Sequence, residues 1–264
     1  MSPAAGAPVI AVLGLGEAGS LLASDLLAAG AAVRGYDPAV GEPAGLAGAE
    51  GFSLTRGEAE AAAGAGLVLS VNSSTAALGA FEAAIPAIAS GTVWADLNTA
   101  SPGLKQQLAA LGDRHGIPVT DIAMMAPVPG RGLKVPMLAS GDAAATATLL
   151  RGLGASIEVL DGPAGLAATR KLLRSVFYKG MAASIVEALD AARAAGLEDW
   201  LHEHIGEELA KSGPAAVDRI VAGTRQHAVR RGAEMAAAAA MLSELGVPPL
   251  MADASRAVHE RLAP

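Results

Sequence analysis

Strand-like and helix-like runs alternate from residue 9 to residue 162, and then the strand-like runs stop. "VIAVL" (9–13) is short, apolar and rich in β-branched residues, so it reads as a buried strand. "GLGEAG" follows. Ser20 to Ala29 then carries Leu21, Leu22, Leu26 and Leu27 at helical spacing, Gly30 ends that helix, and "AAVRGYD" reads as a second strand. Strand, turn, helix and strand within about 30 residues is the size of a βαβ unit. Further strands are expected at 66–72, 92–98, 117–123, 135–141 and 155–162, with helices at 57–64, 75–89, 102–115 and 142–153. This alternation predicts a largely parallel, doubly wound sheet with helices on both faces. Beyond Gly162 only helices are expected, at roughly 164–195, 198–211, 213–231, 232–245 and 249–262. The fold class is therefore α/β: a Rossmann-like domain over 1–162, followed by an all-α domain over 163–264.

Composition narrows the function classes. Hydrophobic residues make up 52% of the chain and charged residues 17%, which suits a globular protein with a large core. A net charge of −7 argues against a nucleic-acid partner. Without cysteine there is neither a disulfide nor thiolate chemistry. No apolar run approaches the ~18 residues of a spanning helix, and no basic stretch leads into a long apolar one near the start. The expectation is a soluble, cytoplasmic protein without a membrane partner.

In "GLGEAG" the glycines are Gly14, Gly16 and Gly19, between an expected strand and an expected helix, the context that gives this spacing meaning. Gly14 permits a tight turn, Gly16 lets a pyrophosphate approach the backbone, and Gly19 lets helix and strand pack closely. The helix N-terminus supplies amides and a positive dipole end. The dinucleotide-binding set is Gly14, Leu15, Gly16, Glu17, Ala18 and Gly19, with Asn72 and Ser73 at the end of the 66–72 strand. Asp37, at the end of the second strand, is placed to accept from the adenosine ribose hydroxyls. Its charge repels a 2′-phosphate, which favours NAD, with NADP as the alternative.

Two more motifs follow in order. "DLNTASP" spans Asp96 to Pro102, and "GLAATRKLLRS" spans Gly165 to Ser175. Together with "GLGEAG" they resemble the β-hydroxyacid dehydrogenases, the family that includes 3-hydroxyisobutyrate dehydrogenase and 6-phosphogluconate dehydrogenase. Ala18 stands where that family usually has Met, Asn98 where it has a substrate-contacting Ser, Ala167 where it has a second Gly, and Ser175 where it has Asn. The resemblance implies a catalytic Lys at position 171. It implies Asn98, Thr99 and Met125 on the substrate side, and a helical half that packs against its twin in a homodimer. The family's usual D-A-P-V-S-G-G segment is replaced by "DIAMMAPVPGRGLKVP", where Pro127 and Pro129 cannot donate to a substrate carboxylate. The C-terminal half resembles a branch in which an alternative helical domain follows the same Rossmann domain.

The Gly165–Leu189 stretch reads as one helix carrying Arg170, Lys171, Arg174 and Lys179 on an otherwise apolar surface. At 100° per residue Lys171, Ser175 and Tyr178 fall within about 60° of one another. Leu172, Leu173, Val176 and Phe177 cover most other sides, so the helix is expected to be central and buried, with its polar stripe facing a cleft between the domains. Oxidation of an alcohol needs a base for the hydroxyl proton, and desolvation plus the neighbouring Arg170 and Arg174 would bring a lysine toward that task. Ser175 is placed to bond the substrate or hold the amine, and Tyr178 to relay a second proton. Lys179 either binds an anionic substrate group or pairs with a carboxylate. Arg231, with His227 and Glu234 at i, i+4, i+7 spacing, either closes over a substrate carboxylate or pairs within its own helix. His202 and His204 face apart, so no metal is expected.

The expected activity is NAD(P)-dependent hydride transfer to or from a small hydroxy acid, a carboxylic acid substrate, or its carbonyl counterpart. The rivals are an imine reductase and a non-catalytic dinucleotide-binding regulator on the same fold.

Overall fold

A computed structural model describes residues 7–264. The first half runs β1 (Val9–Leu13), α1 (Glu17–Ala28), β2 (Ala32–Tyr36), β3 (Phe52–Leu54), α2 (Glu58–Ala62), β4 (Leu67–Ser70), α3 (Ala77–Ala84), β5 (Val93–Asp96), α4 (Pro102–His115), β6 (Val119–Met124), β7 (Met137–Gly141), α5 (Ala143–Gly152) and β8 (Ile157–Val159). The second half is α6 (Leu166–Ala194), α7 (Glu198–Lys211), α8 (Ala215–Gln226), α9 (Ala228–Glu244) and α10 (Leu250–Leu262).

The strands form one sheet in the order β3-β2-β1-β4-β5-β6-β7-β8. All neighbours are parallel except β6 and β7. The chain winds outward from β1 in one direction and then from β4 in the other, so the β1/β4 boundary is the switch point where doubly wound sheets bind ligands. Along β1, Ile10 and Val12 join one apolar layer with Leu22 and Leu26, whereas Ala11 and Leu13 join the other with Phe81 and Trp94. Both faces of the sheet are covered, which is why "VIAVL" shows a continuous apolar run rather than alternation.

Three expectations at element boundaries need correction. The short edge strand β3 was not expected: "FSL" is three residues long with two exposed, and carries no periodicity to read. Helix α1 begins at Glu17 rather than Ser20, because Gly16 in extended conformation takes the N-cap position. The break expected near residue 231 lies at His227, which ends α8 and precedes α9.

The chain divides into two compact units between Arg174 and Ser175, inside α6, whereas the secondary-structure pattern changes at Gly162. In the second unit Ala191, Ala239, Leu242 and Ala252 form a small core. There the Glu187 carboxylate accepts from the amides of Met251 (2.7 Å) and Ala252 (2.8 Å), capping α10. Helix α7 buries no residue, and α8 buries only Ala216. The expectation that α6 is buried on most sides is also corrected: Leu173, Val176 and Phe177 are 66%, 75% and 62% exposed. Apolar side chains on most sides of a helix do not by themselves show which sides the rest of the chain covers.

Candidate functional site

The glycine loop joins β1 to α1 at the switch point. Gly14 has φ +100°, and a Cβ there would lie 2.5 Å from the Val71 carbonyl oxygen and 2.7 Å from the Asn72 nitrogen. A Cβ on Gly19 would collide with the Gly14 carbonyl. Both glycines are therefore demanded by the protein's own backbone. Gly16 differs: it is exposed, and a Cβ there would meet nothing within 4 Å. No side chain caps the start of α1. First-turn amides, a positive helix end and an open approach at Gly16 fit a pyrophosphate. Glu17 is exposed and Ala18 half-buried in that first turn, while Leu15 is buried.

Asp37 stands one residue past β2, half-buried. Its Oδ2 accepts from the Leu15 amide at 2.8 Å, and its Oδ1 from the amides of Ala39 (2.8 Å) and Val40 (3.0 Å). A carboxylate offers about four lone-pair sites, so capacity remains for a ribose hydroxyl.

Beyond β4, the Asn72 Oδ1 accepts from the Ser73 amide at 2.8 Å and from Asn98 Nδ2 at 2.8 Å. Asn98 Nδ2 also lies 3.0 Å from Ser70 Oγ and 2.7 Å from Asp96 Oδ2. Asn98 is 7% exposed, and its donor side is engaged within the protein. Thr99, the next residue, is exposed, and its Oγ1 accepts from Lys171 Nζ at 2.7 Å. The structure thus brings Asn72, Asn98, Thr99 and Lys171 into one polar group spanning the loops after β4 and β5 and the second turn of α6.

Beneath this group lies a buried ion cluster. Lys105 Nζ is 2.6 Å from Asp96 Oδ1 and 3.0 Å from Asp121 Oδ1, and all three side chains are essentially inaccessible. The Oδ2 of Asp121 accepts from the Gly165 and Ala168 amides, both at 3.0 Å. Ser140 Oγ accepts from the Ala167 amide at 3.0 Å. The first turn of α6 is thereby capped from β6 and β7, and its donors are satisfied.

The other cations near Lys171 have acceptors of their own. Arg174 Nη1 donates to the Met125 carbonyl at 2.8 Å, and Arg170 reaches Glu158 at 4.0 Å on the surface. Further along α6, Ser175 is half-buried, while Tyr178 and Lys179 are exposed. The Tyr178 ring packs edge-on against Phe177, with centroids 5.1 Å apart. Arg231 is half-buried, and its Nη1 donates to Thr224 Oγ1 at 2.7 Å. It is Arg230, not Arg231, that pairs with Glu234. Among the described residues no helix is long and apolar enough to cross a membrane, and no cluster of three or more His, Asp or Glu is placed to hold a metal ion.

Residues 9–152, more than half of the chain, match the NAD binding domain of 6-phosphogluconate dehydrogenase. The chain belongs to this family. The dinucleotide-binding role of this family's domain agrees with the open Gly16 and the uncapped α1. Residues 192–262 match a domain of unknown function, DUF1932. A probable 3-hydroxyisobutyrate dehydrogenase of Mycobacterium tuberculosis is 30% identical over 203 residues, covering 71% of this chain and 65% of the relative. The chain spans less than two thirds of the length of the curated relatives it matches. A solved conserved protein of unknown function, described as structurally similar to 3-hydroxyacid dehydrogenases, is 28% identical, covers 96% of each chain and superposes with a TM-score of 0.63. A Streptomyces aurantiacus imine reductase shares the fold at 21% identity and a TM-score of 0.80, covering 96% of this chain and 93% of its own. The resemblance carried by the three sequence motifs is thus confirmed at the level of family and fold.

Lys105, Asp121 and Ser140 were not singled out from the sequence. A signal for Lys105 existed. On α4 the buried positions are Lys105, Leu108, Leu111 and Gly112, so a cation occupies the inward face of an otherwise apolar stripe. Such a lysine needs an internal partner, and both neighbouring strands carry an aspartate near or within their C-terminal half.

Proposed function

We propose that this chain is an NAD(P)-dependent oxidoreductase that interconverts a small hydroxy acid and its carbonyl counterpart, with Lys171 as the proton-transfer group. The observation that carries this reading is the 2.7 Å hydrogen bond from Lys171 to Thr99, at the end of loops that also hold Asn98 and Asn72. Gly14 to Gly19, Asp37, Asn72 and Ser73 hold the dinucleotide in this reading. When bound, that cofactor supplies the hydride acceptor for oxidation, or the donor for reduction.

The chain's own residues then manage the proton. In oxidation the substrate C–H electrons leave with hydrogen, the O–H proton passes to Nζ of a neutral Lys171, and the C=O bond forms. In reduction the Lys171 ammonium returns that proton to the carbonyl oxygen. Thr99 accepts from Nζ and orients it toward the substrate oxygen. Ser175 and Tyr178 lie on the same face of α6 as Lys171 and are assigned to substrate or proton contacts; Lys179 and Arg231 are assigned to the acid's carboxylate. Residues 163–264 form the substrate-binding and dimerisation half, because α7 and α8 leave apolar side chains such as Trp200, Val217 and Ile220 exposed.

Imine reduction is the second reading, kept by the half-exposed phenol of Tyr178. Turnover assayed with NAD and NADP against short hydroxy acids, and with the reduced cofactors against cyclic imines, separates the two. Oxidation of a hydroxy acid with no imine turnover is the expected result; turnover of imines alone overturns it.

A further inference from the structure

Asp96 and Asp121 are register partners on the adjacent parallel strands β5 and β6, so their carboxylates stand side by side in the interior. Like charges so placed repel. Lys105 enters from α4, with Nζ 2.6 Å from Asp96 Oδ1 and 3.0 Å from Asp121 Oδ1, and donates to the Asp96 carbonyl at 2.8 Å as well. One formal negative charge is left over. It faces the Gly165 and Ala168 amides, where the partial positive charge of the α6 N-terminus offsets it. On the other side, Asp96 Oδ2 accepts from Asn98 at 2.7 Å, and the following residue, Thr99, receives Lys171 at 2.7 Å. The contacts close a ring. They leave α6 through its first-turn amides, pass through Asp121, Lys105, Asp96 and the Asn98–Thr99 segment, and return to α6 at Lys171.

A buried ion cluster is a poor way to gain stability, because desolvation offsets most of its Coulomb attraction and apolar groups of the same shape would serve as well. What this one does that apolar groups do not is fix direction, since each oxygen and each ammonium proton accepts few geometries. We propose that Lys105 is a positioning residue: it sets where Thr99, and with it Lys171 Nζ, stands relative to the first turn of α6. The proposal rests on Lys171 being the proton-transfer group. Lys105 is 1% exposed, which keeps it out of reach of a substrate.

The test compares the wild-type chain with Lys105→Gln and with Lys134→Gln, which alters an exposed lysine far along the β6–β7 connection. Three quantities are read: NADH affinity by fluorescence, kcat on a short hydroxy acid that the wild type turns over, and the pH profile of Lys171 acylation by acetic anhydride, followed by peptide mass spectrometry. We expect Lys105→Gln to retain NADH affinity, to lose roughly 10²-fold in kcat, as a displaced reacting group does, and to shift the Lys171 acylation profile. Lys134→Gln should change none of these. Should Lys105→Gln fail to bind NADH, Asp121→Asn, which keeps shape and one acceptor oxygen, carries the same measurements. A folded variant with unchanged kcat and an unchanged Lys171 profile overturns the proposal. Absence of hydroxy-acid turnover in the wild type strikes the functional reading instead, and the acylation profile still decides whether Lys105 positions Lys171.

Discussion

The carboxylate of Asp37 accepts the amide of Leu15 at 2.8 Å, so the tip of β2 is bonded to the glycine loop by the residue assigned to choose between the two nicotinamide dinucleotides. In the proposed function one side chain thus has two roles, selection of the ribose and shaping of the loop. Wild-type protein should bind NADH more tightly than NADPH, because the remaining capacity of Asp37 suits a hydroxyl and its charge repels a 2′-phosphate. Asp37→Ala should weaken both cofactors, by about tenfold or more, since it removes a charge-assisted hydrogen bond from the loop. Fluorescence titration of each cofactor reads this directly. Tighter NADPH binding by the wild type, or an alanine variant that simply exchanges preference without losing NADH affinity elsewhere, contradicts the double role.

Lys171→Ala should lower kcat by roughly 10²–10⁴-fold, the usual worth of a positioned general acid or base. NADH affinity should stay the same, because the dinucleotide is assigned to Gly14–Gly19 and Asp37, far along the sequence. Tyr178→Phe is the companion measurement. Should the phenol variant lose turnover while Lys171→Ala keeps most of it, the proton comes from Tyr178, and the imine reading replaces the hydroxy-acid one.

Val217, Ile220 and Val221 on α8 are 65%, 57% and 48% exposed, at a spacing that puts them on one stripe. A helix whose apolar stripe stays in water gains little from packing, and short helices are marginal without it. A homodimer that covers this stripe is the expected state in solution. Light scattering at micromolar concentration should give twice the 26.0 kDa chain mass. Val217→Glu with Ile220→Glu should shift it toward the monomer; a wild-type monomer rules the arrangement out.

At the α6–α7 turn, two hydrogen bonds from Arg193, at 2.7 Å to Oε1 and 2.9 Å to Oε2, hold the Glu198 carboxyl below its usual range, and Glu198 in turn raises Arg193. A depressed carboxyl stabilises the folded chain above its unfolded pKa, and that contribution is lost as the pH falls through the folded value. Both groups are on the surface, so the effect is local. In an NMR titration Glu198 should protonate below the ordinary glutamate value of 4.5, and Arg193→Ala should return it there.

The sequence is most legible where capping chemistry and periodicity agree. Helix α4 begins and ends at residues 102 and 115 as expected, because Ser101 caps the Leu104 amide, Pro102 takes the first helical position and Gly116 closes the helix in the left-handed region. Helix α7 likewise matches at both ends. The break at His227 was misplaced because His–Ala–Val contains neither glycine nor proline to mark it. Of the candidate site, Lys171 and Thr99 were reachable through motifs, and the structure places them in contact. The bridging role of Asn98 was not reachable, since it depends on partners at Ser70, Asn72 and Asp96 that only the sheet order brings together. Asp121 escaped for the same reason: nothing local shows that its carboxylate caps a helix more than forty positions later.

Three glycines of one motif answer to different masters. Gly14 is held by the Val71–Asn72 peptide and Gly19 by Gly14 itself, so a descendant that had abandoned the dinucleotide would still have to keep both in order to fold. Only Gly16 faces open space. In any set of relatives, drift at position 16 with positions 14 and 19 intact would therefore mark the lineages that have given up the cofactor.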